Sequence, residues 1–132
     1  MTDFPQEGMG LTHILVCRDT EASKDWYLNV LGATLYRQYG RSVVLTFNGV
    51  GLLLVPESPP TEDKPSVHMV PPEDPDRPTH SFTIRVPDCE AAYAILKDRG
   101  AEFLTPPFKR GIETRCFFRD PDGHLYEISA VK

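Results

Sequence analysis

The sequence predicts an α+β fold built from two repeated β-α-β-β-β units. Two observations carry this. The same order of apolar runs, caps and turns occurs twice, and the words DTEAS…LGATL at 19–35 echo DCEAA…RGAEFL at 88–104. Between the copies lies a proline-rich stretch, PESPPTEDKPSVHMVPPEDPDRP at 56–78, that neither copy needs. One such unit leaves a sheet face uncovered, so two together make a closed domain. The expected division is a single domain over 1–132, with unit one at about 10–57, the linker at about 58–78 and unit two at about 79–131.

The elements follow in chain order. LTHILVC (11–17) is β-rich and apolar, hence a strand. Asp19 or Thr20 caps a helix whose apolar positions Ala22, Trp26 and Val30 recur every four residues, with Tyr27 and Leu31 widening the face. Gly32 fits the position just past a helix end, where a left-handed backbone costs glycine little. Three strands come next, at 33–39, 42–47 and 51–55, separated by Gly40-Arg41 and by the stronger turn signal Asn48-Gly49. In the second copy, HSFTIRV (80–86) is a strand and Asp88 caps a helix with Ala92, Ile95 and Leu96 inward, ending at Gly100. Lys97 and Arg99 suit the negative end of its dipole. Strands at 101–104, 113–118 and 124–129 complete the unit. Eight prolines between Pro56 and Pro78 forbid a regular helix there. That stretch is either a semi-rigid linker, or a flap over a pocket or an arm onto a second subunit.

At 132 residues the chain fits one domain, or two small halves sharing a core. The net charge of −5 argues against nucleic acid and anionic membranes as main partners, because both attract basic patches. Cys17, Cys89 and Cys116 are far apart and show no metal-binding spacing, which suggests reduced thiols and a cytoplasmic protein. MTDFPQEGMG at the N-terminus has no apolar core, and no run approaches the ~18 apolar residues of a membrane span, so neither a signal peptide nor a span is expected.

Two stretches carry a family resemblance. DTEASKDWYLNVLG (19–32) and DPDGHLYE (120–127) resemble the paired signatures of the vicinal oxygen chelate superfamily, which includes glyoxalase I, extradiol dioxygenases, and fosfomycin and bleomycin resistance proteins. The resemblance spans about 11–130 and implies two incomplete barrels with helices outside, a concave chamber for a small oxygenated molecule, and a homodimer. In metal-dependent members it implies ligands at the starts of the first and fifth strands and a glutamate on the last. Those positions here are His13, His80 and Glu127, a set suited to Fe(II), Mn(II), Ni(II) or Zn(II) with open positions for vicinal oxygens. The fourth-strand slot falls among Leu52, Leu53 and Leu54 and offers no ligand, and His68 and His124 are read as non-ligands.

Strand parity points elsewhere. Aligning the units on Asp19 and Asp88 puts the ligand slots on Thr12 and Ser81, each one residue from a histidine. Alternation then turns both histidines away from the chamber that Glu127 faces, unless bulges re-aim them. The metal-free alternative is a small-molecule binding or resistance-type protein, or an enzyme with Glu127 as catalytic base. In that reading Arg85 and Arg115 pair with Glu127 or clamp an anionic ligand, and Phe47, Phe117, Phe118 and Tyr36 supply walls.

Overall fold

A computed structural model describes residues 3–132. One sheet contains β1 (Thr12–Cys17), β2 (Thr34–Tyr39), β3 (Ser42–Phe47) and β4 (Val50–Pro56), in the order β1-β4-β3-β2. The other contains β5 (Phe82–Arg85), β6 (Glu102–Phe103), β7 (Phe108–Arg110), β8 (Glu113–Arg119) and β9 (Leu125–Val131), in the order β5-β9-β8-β6 with β7 also on β8. In each sheet the strand before the helix runs parallel to the last strand, β1 with β4 and β5 with β9. The other pairings are antiparallel. The sheets stay open rather than closing into a barrel. The expected strand 80–86 narrows to Phe82–Arg85, and β7 is an unforeseen addition hidden by Pro106-Pro107.

Alternation decides which residues enter the core. Leu15 and Cys17, Val43 and Leu45, and Leu52 and Leu54 are buried on one face of the first sheet. Cys116, Phe118, Tyr126 and Ile128 do the same in the second. The two sets meet in a single cluster with the helices. Phe118, expected as a chamber wall, is fully buried there.

Helix α1 (Thr20–Trp26) is capped by Asp19, whose carboxylate accepts from the Glu21 and Ala22 amides. Its inward row is Ser23, Tyr27 and Val30; Ala22, expected inward, is exposed. From Tyr27 to Leu31 the backbone winds as a π-helix before Gly32 ends it at φ 84°. The repeat explains this. Asp19 and Gly32 are 13 positions apart, whereas Asp88 and Gly100 are 12 apart, and a π turn absorbs one inserted residue. In α2 (Cys89–Asp98) the inward positions are Cys89, Ala92, Tyr93 and Leu96, spaced i, i+3, i+4, i+7. Ile95, expected inward, lies off that stripe and is 52% exposed.

The two signature stretches bind each other. Tyr27 donates to Asp120 Oδ2 at 2.6 Å, and its hydroxyl lies 2.8 Å from that of Tyr126. Ser23 donates to Asp122 Oδ2 at 3.0 Å, while the Arg18 amide donates to Asp122 Oδ1 at 2.8 Å. The second Asp120 oxygen accepts from the amides of Asp122 and His124. Both aspartates are buried, so these partners offset the cost of removing carboxylates from water. The Asp-Pro-Asp-Gly turn therefore fastens the second sheet to the first helix and sets the register of β9.

The proline-rich stretch is not a plain extended linker. It folds back on itself through bridges between Ser58 and Met69 and between Thr61 and Lys64. Its return leg lies across the fastening: Arg18 donates to the Pro72 carbonyl at 2.7 Å, and Arg119 pairs with Asp76 at 2.6 Å.

Candidate functional site

The second sheet has one face against its helix and the core, and one face free of helices. Residue parity puts Thr83 and Arg85, Glu127 and Ser129, and Arg115 and Phe117 on the free face. Register draws them into two cross-strand rows: Thr83–Glu127–Phe117 and Arg85–Ser129–Arg115. Thr83 donates to Glu127 Oε1 at 2.6 Å. The other Glu127 oxygen is 3.9 Å from Arg115 Nε. Arg115 reaches Glu113 at 3.4 Å and lies 5.6 Å from the Phe117 ring centroid, within cation–π range. Ser129 accepts from Arg85 Nη1 at 2.7 Å and donates to Glu113. Arg85 Nη1 is also 3.8 Å from Glu113. One continuous polar chain thus runs Thr83–Glu127–Arg115–Glu113–Ser129–Arg85. The structure brings the expected Glu127, Arg85, Arg115 and Phe117 onto one surface. Glu113 and Ser129 were not singled out from the sequence, although each lies two residues from a residue that was. The signal was parity extended by one step along β8 and β9.

The two expected histidines go elsewhere. His13 and His80 lie ring to ring, with centroids 4.9 Å apart. Both meet Phe82, at 4.5 and 5.8 Å, and Phe82 stacks on Tyr126 at 4.6 Å. Tyr126 and Glu127 are successive residues of one strand, so their side chains leave opposite faces. His13, His80 and Glu127 therefore do not converge; the register of β1 runs through His13 without a bulge, and His80 lies two residues before β5 begins. Among the described residues no group of three or more histidine, cysteine, aspartate or glutamate side chains is arranged to hold a metal ion. The donor set does not fit the divalent metal implied by the resemblance. Instead His13, His80 and His124 cluster where the two sheets meet, with His80 and His124 6.2 Å apart. Burial, and then the neighbouring His80 and His124, lower the pKa of His13. His124 donates from Nε2 to the Val16 carbonyl at 3.0 Å, and its buried Nδ1 has no hydrogen-bond partner among the described residues.

Phe47 is not part of the polar chain. It lines a cavity of about 510 Å³ between the halves, together with Leu52, Phe82, Ile84, Thr83 and Arg85. Tyr36 is 68% exposed and does not line this cavity.

Residues 10–128 match the family model described as the Glyoxalase/Bleomycin resistance protein/Dioxygenase superfamily. A stretch of 54 residues is 44% identical to a metallothiol transferase, FosB, of Shouchella clausii (strain KSM-K16). That match covers 38% of this chain and only 36% of the relative. Among solved structures, a glyoxalase/bleomycin resistance protein/dioxygenase from Nocardioides superposes with a TM-score of 0.71 at 24% identity, covering 96% of this chain and 85% of the other. One of the same description from Alicyclobacillus acidocaldarius gives 0.71 at 21% identity, covering 96% and 94%. At these identities the likeness concerns the fold.

Proposed function

The chain belongs to the Glyoxalase/Bleomycin resistance protein/Dioxygenase superfamily, and from that membership we propose that it binds a small oxygenated molecule on the helix-free face of its second sheet without a metal ion. One observation carries this reading: the polar chain from Thr83 to Arg85 stands on a sheet face that no helix covers. As structural ion pairs its members are poor, since Arg85 and Arg115 side chains are 59% and 36% exposed and meet their carboxylates at 3.4–3.9 Å. Such pairs contribute about 0–1 kcal/mol. As a recognition surface they are well arranged. Glu127 accepts from a ligand hydroxyl or amine, Arg115 and Arg85 donate to ligand oxygens, and Phe117 supports the Arg115 guanidinium.

A thermal-shift screen of small oxygenated compounds tests the reading. A stabilising ligand whose effect disappears in Arg115→Ala and in Glu127→Gln supports it. Equal stabilisation of wild type and both variants overturns it, as does stoichiometric metal lost from both His13→Ala and Glu127→Ala. Were turnover found, Glu127→Gln with binding kept and rate lost would identify Glu127 as the base. The reading includes a homodimer and a cytoplasmic site of action. The apolar cross-strand row Ile14–Leu53–Val44 on the helix-free face of the first sheet supports the former, and three buried free thiols support the latter.

A further inference from the structure

Three of the four polar side chains around the cavity between the halves are held elsewhere. Thr83 donates to Glu127, Arg85 donates to Ser129, and the Tyr126 hydroxyl lies 2.8 Å from that of Tyr27. Asn48 remains, in the exposed turn after Phe47. Thr83 and Arg85 line the cavity all the same, and what they present to it is main chain. β5 is the outermost strand of its sheet, and among the described residues it pairs with β9 alone. The Val86 N–H donates to the Ser129 carbonyl at 2.9 Å. In a parallel ladder alternate residues turn their N–H and C=O the same way, so Ile84 shares the direction of Val86. The N–H and C=O of Thr83 and Arg85 therefore turn away from β9, along the free edge of the sheet.

We infer that this cavity takes a small neutral secondary amide with an apolar side group, laid along β5 as one residue of an added strand. The ligand N–H donates to the Thr83 carbonyl, and the ligand C=O accepts from the Arg85 N–H, the parallel pairing centred on Ile84. A residue paired opposite Ile84 puts its side group on the same face of the sheet as Ile84. That face carries Phe82 and Tyr126, and across the cavity stand Phe47 and Leu52 of the first half. The walls bind the side group by taking apolar surface out of water. At about 510 Å³ the cavity falls within the size range of small-molecule sites. A charged ligand finds no opposite charge here, because the Arg85 guanidinium is held on the other face, and it loses its water without a partner. The site lies on the opposite side of the second sheet from the polar chain, so it stands or falls apart from the function proposed above.

Calorimetric titration with N-acetyl-leucine methylamide tests this. The comparisons are the analogue whose leucine N–H is replaced by an ester oxygen, and N-methylacetamide, which lacks the apolar side group. The amide is expected to bind about tenfold more tightly than the ester, the worth of one hydrogen bond, and N-methylacetamide should not saturate. Phe47→Ala should weaken amide and ester alike. Proline is tolerated in an edge strand where its nitrogen faces outward, so Arg85→Pro removes the outward N–H and keeps the ladder to β9. Arg85→Ala loses the same side chain, keeps the N–H and serves as the reference. Arg85→Pro should bind the amide about tenfold more weakly than Arg85→Ala, with circular dichroism showing that both fold. Amide and ester binding equally, or neither binding, overturns the inference, as does a folded Arg85→Pro that matches Arg85→Ala. Should Arg85→Pro fail to fold, the comparison of amide with ester decides alone.

Discussion

Single residues explain why the two signatures occur together. Tyr27 and Ser23 donate to Asp120 and Asp122, so each signature holds the partners of the other. Burial raises the pKa of Tyr27, which keeps its hydroxyl a donor at neutral pH. Tyr27→Phe should lower the unfolding free energy by about 1.5–3 kcal/mol, the worth of a hydrogen bond to a charged group. Urea denaturation measures it, and a change below about 0.5 kcal/mol, typical of neutral surface substitutions, would deny the bond its role. The thiols give a second expectation. Burial pushes Cys17 and Cys116 up to about 12 and raises Cys89 as well, so native protein should resist thiol reagents at pH 8 while urea-unfolded protein reacts at three sites. Rapid labelling of the folded chain would contradict the burial. At this scale Glu127 was readable from the sequence, because the turn sets its parity. The parity of His13 and His80 was readable too, from their offset against Asp19 and Asp88. Their packing against Phe82 was not, because it depends on how two distant strands meet.

Elements show where local pattern suffices and where it fails. The caps at Asp19 and Asp88 form as their residue types require, and both helices end at glycines. The π turn was visible only as a one-residue mismatch between the repeats. Ala22 and Ile95 were misplaced because apolarity alone cannot set a short helix's rotation; Ser23, a polar residue with a buried partner, settles it for α1. The turn before β9 offers a comparison between two glycines. Gly123 has φ 96° and Gly100 has φ 107°, so alanine at either should cost about 1–3 kcal/mol in backbone strain. A methyl at Gly123 would also lie 3.0 Å from the Pro75 side chain, whereas one at Gly100 meets nothing within 4 Å. Gly123→Ala should therefore be the more destabilising by thermal denaturation, and equal losses would show that the return leg of the proline-rich segment yields freely.

For the whole molecule, the meeting of the two halves should govern the pH response. His13 is held below its ordinary value of 6.5 by burial and by His80 and His124, so the fold favours its neutral form. Unfolding lets it take a proton more readily. Its contribution to stability is thus present above pH 6.5 and lost as pH falls through the lower value of the folded state. Urea midpoints should decline between pH 7.5 and 5.5, and His13→Phe should flatten that slope. An unchanged slope would place the pH response elsewhere. The repeat and the order of its elements along the chain were readable from the sequence, since they rest on periodicity and local turns; the order of strands within each sheet came from the structure. The cavity along β5 was not readable, since its walls come from two sets of residues 30 or more positions apart.

The fastening of Tyr27 and Ser23 to the Asp-Pro-Asp-Gly turn exists once, although the unit that carries it exists twice. Counting from the two caps, Ser23 corresponds to Ala92 and Tyr27 to Leu96, and the first half turns at Asn48-Gly49 with no aspartate. Duplication has ended in division of labour. In this fastening the first half supplies the donors and the second the carboxylate acceptors, so two like halves cannot form it. Residues 1–57 and 58–132 made as separate chains should recognise each other and not themselves, and any exchange of halves between two molecules can join only unlike halves.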